Sequence, residues 1–171
     1  LVSGPSALTR PVGVEVVPVE TAVEMWEAVG ARVSTADVSV FAAAVADFRP
    51  ADPKSQKVKR AESDGAITIE LTENPDVARD TIAKRKEGSI AVGFALETTD
   101  LIENAEKKLS AKAFDLIVAN DANDPEAGFD VATNRVTILS NGRAPEAFPT
   151  MIKEAVAEEI LDRVEALVEA T

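Results

Sequence analysis

Three runs of almost unbroken apolar sequence constrain this chain most: residues 37–44, residues 90–96 (IAVGFAL) and residues 114–120 (FDLIVAN). A strand of alternating polarity packs one face and wets the other, whereas a strand apolar throughout is covered on both faces, as in parallel sheets. Helical signals lie between these runs. Thr21-Ala22-Val23-Glu24 is a capping box, opening a helix that carries Met25, Trp26, Ala28 and Val29. Pro75 falls in the first turn of a helix expected to run to about Glu87, with Asn74 as its cap. Residues 100–112 place Leu101, Ala105 and Leu109 on one helical face, and residues 150–170 place Ile152, Val156, Ile160, Val164 and Leu167 along a stripe. Alternating strand and helix predicts an α/β fold, a mainly parallel sheet with helices on both faces.

The remaining segments fit around that frame. Residues 14–19 (VEVVPV) read as a strand, with Pro18 marking an edge or an end. Residues 66–71 (AITIEL) alternate as a half-exposed strand does. Residues 136–139 read as a short strand before an Asn141-Gly142 turn. Residues 1–5 read as the tail of a strand, and residues 51–65 as a flexible loop that could close over a site.

The chemistry available is narrow. The 171 residues hold no cysteine, histidine or tyrosine, which removes thiol nucleophiles, Ser-His-Asp triads, imidazole acid–base chemistry and Cys/His zinc sites. With 30 acidic against 18 basic residues the net charge is −12, which argues against nucleic acid as the main partner. No apolar run reaches membrane-span length, and the missing cysteines fit a cytoplasmic protein. What remains is Lys, Arg, Asp, Glu, Asn and backbone N–H groups, an inventory suited to phosphoryl or nucleotidyl transfer, where positioning and charge stabilisation dominate.

Several places could carry such chemistry. The small residues at 42–46, closed by Asp47, would let a flat ring or ribose approach the backbone, with Asp47 accepting from a sugar or helping to hold Mg²⁺. The basic cluster Lys54, Lys57, Lys59 and Arg60 runs against the acidic background and suits an anion, although most lysine-rich loops are solvated surface. Asn74-Pro75-Asp76-Val77 feeds a helix N-terminus, which favours anions but is equally a good cap. Lys108 and Lys112 stand one turn apart, where like charges cost a few tenths of a kcal/mol that a bound polyanion would remove. Phe94 and Asn120 close buried strands, and plain core is the simpler account of Phe94. Neither GxGxxG nor GxxxxGK[ST] is present.

Taken together, LVSGPSAL, VETAVEMWEAV, AAAVADFRP, KVKR, ENPDV, VGFALET, FDLIVAND, KEAVAEEILDRV and the helix bearing Lys108 and Lys112 resemble the phosphopantothenoylcysteine synthetase family, the synthetase half of the bacterial bifunctional decarboxylase/synthetase of coenzyme A biosynthesis. The resemblance implies a Rossmann-like doubly wound fold with a small antiparallel strand extension. It implies CTP, with Mg²⁺, activating 4′-phosphopantothenate as an acyl-cytidylate that cysteine then attacks. Carried over by motif, Ala43, Ala44, Asp47, Asn74, Pro75, Asp76, Val77, Phe94, Lys108 and Lys112 would surround the nucleotide, and Lys57 would hold the triphosphate and act catalytically. Arg60 replaces the last lysine of the family's basic trio. The resemblance further implies a homodimer joined by antiparallel strands, with residues 14–19 and 130–140 as candidates, and a decarboxylase domain in the full-length protein. The family's first βα unit, with its Asn-x-x-Ser-Ser-Gly-Lys segment, precedes the region matched here, so these residues alone are expected to be impaired in catalysis. Two other readings of the residues stand beside this one: a nucleotide- or flavin-binding α/β oxidoreductase, and a dimerising fragment without chemistry.

Overall fold

The computed structural model describes residues 1–54, 56–57, 66–127 and 131–170. In chain order the elements are β1 (Val2–Ser3), β2 (Val17–Pro18), α1 (Ala22–Gly30), β3 (Val38–Phe41), β4 (Phe48–Pro50), β5 (Leu71–Glu73), α2 (Val77–Ile82), β6 (Ile90–Glu97), α3 (Leu101–Ala111), β7 (Leu116–Asp121), β8 (Thr133–Asn134), β9 (Thr137–Ser140), β10 (Glu146–Ala147), β11 (Met151–Ile152) and α4 (Lys153–Glu169). The principal sheet has five strands in the order β10-β9-β7-β6-β3. β3, β6 and β7 run parallel, and β9 and β10 extend the sheet antiparallel. Three two-stranded sheets accompany it, β1-β2 parallel and β4-β5 and β8-β11 antiparallel. The expected α/β architecture, mainly parallel with a small antiparallel extension, is the one observed.

The alternation within β6 and β7 explains why the apolar runs are unbroken. Ala91 and Ala95, with Ile117 and Ala119, belong to one buried cluster, packed with Ala78 and Ile82 of α2 and Ala105 and Leu109 of α3. Ile90 and Val92, with Leu116 and Val118, belong to the other, packed with Val156, Ile160 and Val164 of α4. Each strand therefore feeds two cores, and neither face is left for polar residues. Val92, Ile117 and Val118 are wholly buried. Small residues face α2 and α3, which lets those helices approach closely. The outer side of α4 carries Glu154, Glu158, Asp162 and Glu165, all exposed.

Several sequence expectations need correction. The run at 37–44 is strand only over Val38–Phe41; it forms the sheet edge, so Val40 is half exposed rather than buried. The strand expected over 14–19 shrinks to Val17–Pro18, paired with β1. The strand expected at 66–71 begins only at Leu71, where β5 finds β4 as partner; β4, three residues ending in Pro50, leaves no strand signal in the sequence. That pairing sets Pro50 opposite Leu71, and Ile67, Ile69 and Leu71 remain largely exposed. The α2 cap is Asp76, whose side chain accepts from the Arg79 amide, not Asn74, and the helix ends at Ile82 rather than near Glu87. Ile152 lies before α4, in β11, and is exposed, because Met151 and Ile152 pair with β8 instead of extending the helix. Of the candidate dimer strands, β9 has both edges occupied by β7 and β10, and β8 pairs with β11, so these backbones bond within the chain. Residues 58–65, including Lys59 and Arg60 of the basic cluster, and residue 130 lie outside the described residues.

Other readings hold in detail. Thr21 Oγ1 accepts from the Glu24 amide at 3.1 Å, and Glu24 Oε2 accepts from the amides of Glu20 and Thr21 at 2.7 and 3.0 Å, closing the capping box. Gly142 turns the β9–β10 hairpin with φ +73°.

Gly93 of β6 is fixed by contact. A Cβ there would stand 2.3 Å from the Phe114 ring, which packs against Phe41 with centroids 5.8 Å apart and the ring planes inclined at 51°. Gly93→Ala is expected to cost roughly 2 kcal/mol in chemical denaturation, since the Phe114 ring must shift to admit the methyl group. A variant as stable as the parent would show that Phe114 has room to shift.

Candidate active site

β3 ends at Phe41, and the chain leaves the sheet through the small residues 42–46 to Asp47. This is the carboxyl end of a parallel strand, where open α/β sheets bind ligands. A cleft of about 860 Å³ opens there. Of the residues singled out from sequence, Ala43, Asp47, Asn74, Pro75, Asp76, Val77, Phe94, Lys108 and Lys112 all line it. Ala44 and Lys57 do not; both are exposed, and Lys57 sits beyond β4 in no regular element.

Two chain segments far apart in sequence are tied into one wall. The Asn74 amide nitrogen Nδ2 donates to the Ala46 carbonyl at 2.8 Å, and the Asn74 backbone N–H donates to the Asp47 carbonyl at 2.8 Å. Asn74 Oδ1 accepts from Arg49 at 3.1 Å, and the same guanidinium donates to the Glu73 carbonyl. Asn74 is therefore a bracket between the two loops, which is why the capping role passes to Asp76. Phe94 is half buried, packed against the α4-side core, and still borders the cleft. Val2, Met25, Val29, Val33, Val38, Val40 and Phe114 also line the cleft, an apolar contribution that was not anticipated. The lining is thus part charged and part apolar.

The cleft lysines are already paired. Lys112 Nζ stands 2.8 Å from Asp76 Oδ2 and 3.1 Å from Oδ1. Lys108 Nζ stands 2.6 Å from Glu97 Oε1 at the end of β6. The like-charge cost foreseen for two lysines one turn apart is met by these two carboxylates. Sequence reasoning missed Glu97; the signal available was an acid closing a buried strand. Burial opposes ionisation of Asp76, but hydrogen bonds from Lys112 and the Arg79 amide, with the charges of Lys112 and Arg79, outweigh it and hold the carboxyl below its ordinary 3.8. Among the described residues no group of three or more Asp or Glu is placed to hold a metal ion. None of the described helices is long and apolar enough to cross a membrane.

Because the native pKa of Asp76 is lowered, its contribution to stability is present above the ordinary carboxylate value and is lost as pH falls through the native one. Asp76→Asn keeps a good N-cap and removes the charge facing Lys112. The stability gap between parent and variant should be steady above about pH 4 and close as pH drops further. A gap that stays constant into strong acid would show that the charge is not its source.

Comparison with known proteins places this geometry. Residues 1–168 match the family described as DNA/pantothenate metabolism flavoprotein C-terminal domain. The coenzyme A biosynthesis bifunctional protein CoaBC of Bacillus subtilis is 42% identical over 172 residues, covering 100% of this chain and 42% of that protein. CoaBC of Escherichia coli is 36% identical, covering 96% of this chain and 40% of its own length. The chain thus spans about two fifths of the curated relatives it matches. The crystal structure of the C-terminal domain of a CoaBC protein superposes with a TM-score of 0.79 at 35% identity, covering 99% of this chain and 74% of that one.

Proposed function

The chain belongs to the family of DNA/pantothenate metabolism flavoprotein C-terminal domains, and from that premise we propose that it carries the synthetase step of coenzyme A biosynthesis: CTP-dependent joining of 4′-phosphopantothenate and cysteine through an acyl-cytidylate. The observation that carries this reading is the convergence of Ala43, Asp47, the 74–77 loop, Phe94, Lys108 and Lys112 on one cleft, from segments spread between residues 43 and 112.

In this reading the small-residue turn after β3 and the backbone around Phe94 form the floor for the cytosine and ribose. Asp47 accepts from the sugar. Lys108 and Lys112 neutralise the phosphates, and Lys57, delivered from beyond β4, offsets the charge that builds as the carboxylate of the acyl substrate attacks the α-phosphorus and pyrophosphate leaves. Mg²⁺ bound to CTP would screen the phosphates; among the described residues no group of three or more acids is placed to hold an ion, so it fits as one carried in by the nucleotide, with Asp47 as a single protein ligand. Asn74 acts at one remove, by holding the Ala46–Asp47 turn against the 74–77 loop. The apolar wall at Val29, Val33 and Val40 keeps water from one side of the cleft, and the pantothenoyl chain is a ligand that could use it. The relatives are named bifunctional, and a decarboxylase domain in a full-length protein would account for the second activity.

Calorimetric titration of the chain with Mg·CTP and Mg·ATP tests the reading. Saturable binding is expected, at least tenfold tighter for CTP, about 1.4 kcal/mol. Lys112→Gln and Lys57→Gln should each weaken it about tenfold or more. Equal affinity for the two nucleotides, or binding indifferent to both lysines, would remove the proposal.

A further inference from the structure

Glu97 sits where β6 ends, and its pairing with Lys108 is odd as a stabilising device. The carboxylate is only 13% exposed, and its Oε1 is shielded from water with no donor of hydrogen-bond geometry; what it has is the Lys108 ammonium at 2.6 Å. Lys108, by contrast, is 43% exposed and lines the cleft. Burying a carboxylate against one flexible lysine gains little, because desolvation offsets the attraction. The pair does something else well: it occupies a cation that would otherwise face any anion in the cleft. Asp76 does the same to Lys112, but also caps α2, so its role is mixed. Among the described residues, the Glu97 carboxylate has no partner besides Lys108 that would account for its placement.

We propose that Glu97 is a built-in competitor for Lys108. A polyphosphate entering the cleft draws the lysine away from Glu97, and Glu97 reclaims it as the polyphosphate leaves, so the carboxylate limits how tightly the cleft retains a released polyphosphate. The inference rests on the proposed reading in one respect, that pyrophosphate is the product to be released; the competition itself needs only a polyphosphate in the cleft. Glu97 acts through Lys108 and is a positioning residue, since it touches no reacting atom. Without it, two lysines four residues apart would grip pyrophosphate with uncompensated charge in a partly desolvated space, and product would leave slowly.

The test is titration of inorganic pyrophosphate into the full chain, Glu97→Gln, Lys108→Gln and the double variant. Glu97→Gln keeps the shape and removes the charge, and should bind pyrophosphate about tenfold tighter. Lys108→Gln should bind more weakly than the parent, and in its background the gain from Glu97→Gln should fall below about threefold. Glu97→Asp, which draws the carboxylate back by one methylene, should also tighten binding and serves if the glutamine variant folds poorly. A gain that disappears without Lys108 separates competition for the lysine from simple repulsion by the carboxylate, and a merely structural Glu97 would not produce that pattern. Unchanged or weaker binding in both Glu97 variants, no binding in any protein, or a gain undiminished without Lys108 would each overturn the proposal. If Mg·CTP fails to bind while pyrophosphate shows this pattern, the synthetase reading falls and the competition stands; if CTP binds and the gain is missing, the reverse holds.

Discussion

The pairing of β6 with β7 is the interaction on which everything else rests. Six residue pairs, from Val92 opposite Leu116 to Glu97 opposite Asp121, lie in register at the centre of the sheet. Because both strands are covered on both faces, they organise two cores at once, one beneath α2 and α3 and one beneath α4. A parallel pair cannot be joined by a tight turn, so α3 must cross over between them, and that crossover is what suspends Lys108 and Lys112 beside the cleft. The same register carries β6 far enough to place Glu97 within reach of Lys108. Site geometry is thus a by-product of how the two most buried strands align.

How much of this could be read from the residues follows the strength of the physical signal. β6, β7, α1 and α3 were legible because burial on two faces, a capping box or a helical stripe writes itself into composition and spacing. The edge strand β3 was legible in type but not in exposure: its residues are apolar as in a central strand, and only the strand order reveals that one flank is open. β4 was illegible because its three residues include a proline and its partner lies more than twenty residues on. The cap is Asp76 instead of the expected Asn74, since either can cap a helix, and Asn74 is drawn instead to the Ala46 carbonyl, a contact no local window contains. For the site, the polar half was visible and the apolar half was not. Val29, Val33 and Val40 look like ordinary core, and it takes the tertiary arrangement to turn them into a wall.

The charged half of the cleft illustrates how a protein can hold cations ready for an anion without leaving them bare. Lysines that face each other across one helical turn repel, and an empty cleft would have to tolerate that. Here carboxylates from two different elements, the end of β6 and the entry of α2, neutralise them one for one. The arrangement binds through exchange of partners instead of through unsatisfied charge, which keeps the empty state folded and makes anion affinity a difference between two similar attractions.

The acidic outer face of α4, together with the net charge of −12, has a consequence for arrival that contact energies do not reveal. An anionic ligand that comes within about a Debye length of this acidic surface, some 10 Å at moderate salt, meets a repulsive field before it reaches the cleft. Because the lysines are neutralised in place, they send out little attraction of their own. Encounter is therefore slowed by the protein as a whole and quickened by added electrolyte, while the bound state, held by local charge, is loosened by it. Ionic strength should move the forward and reverse rate constants in the same direction, the opposite of the behaviour of a basic nucleotide trap.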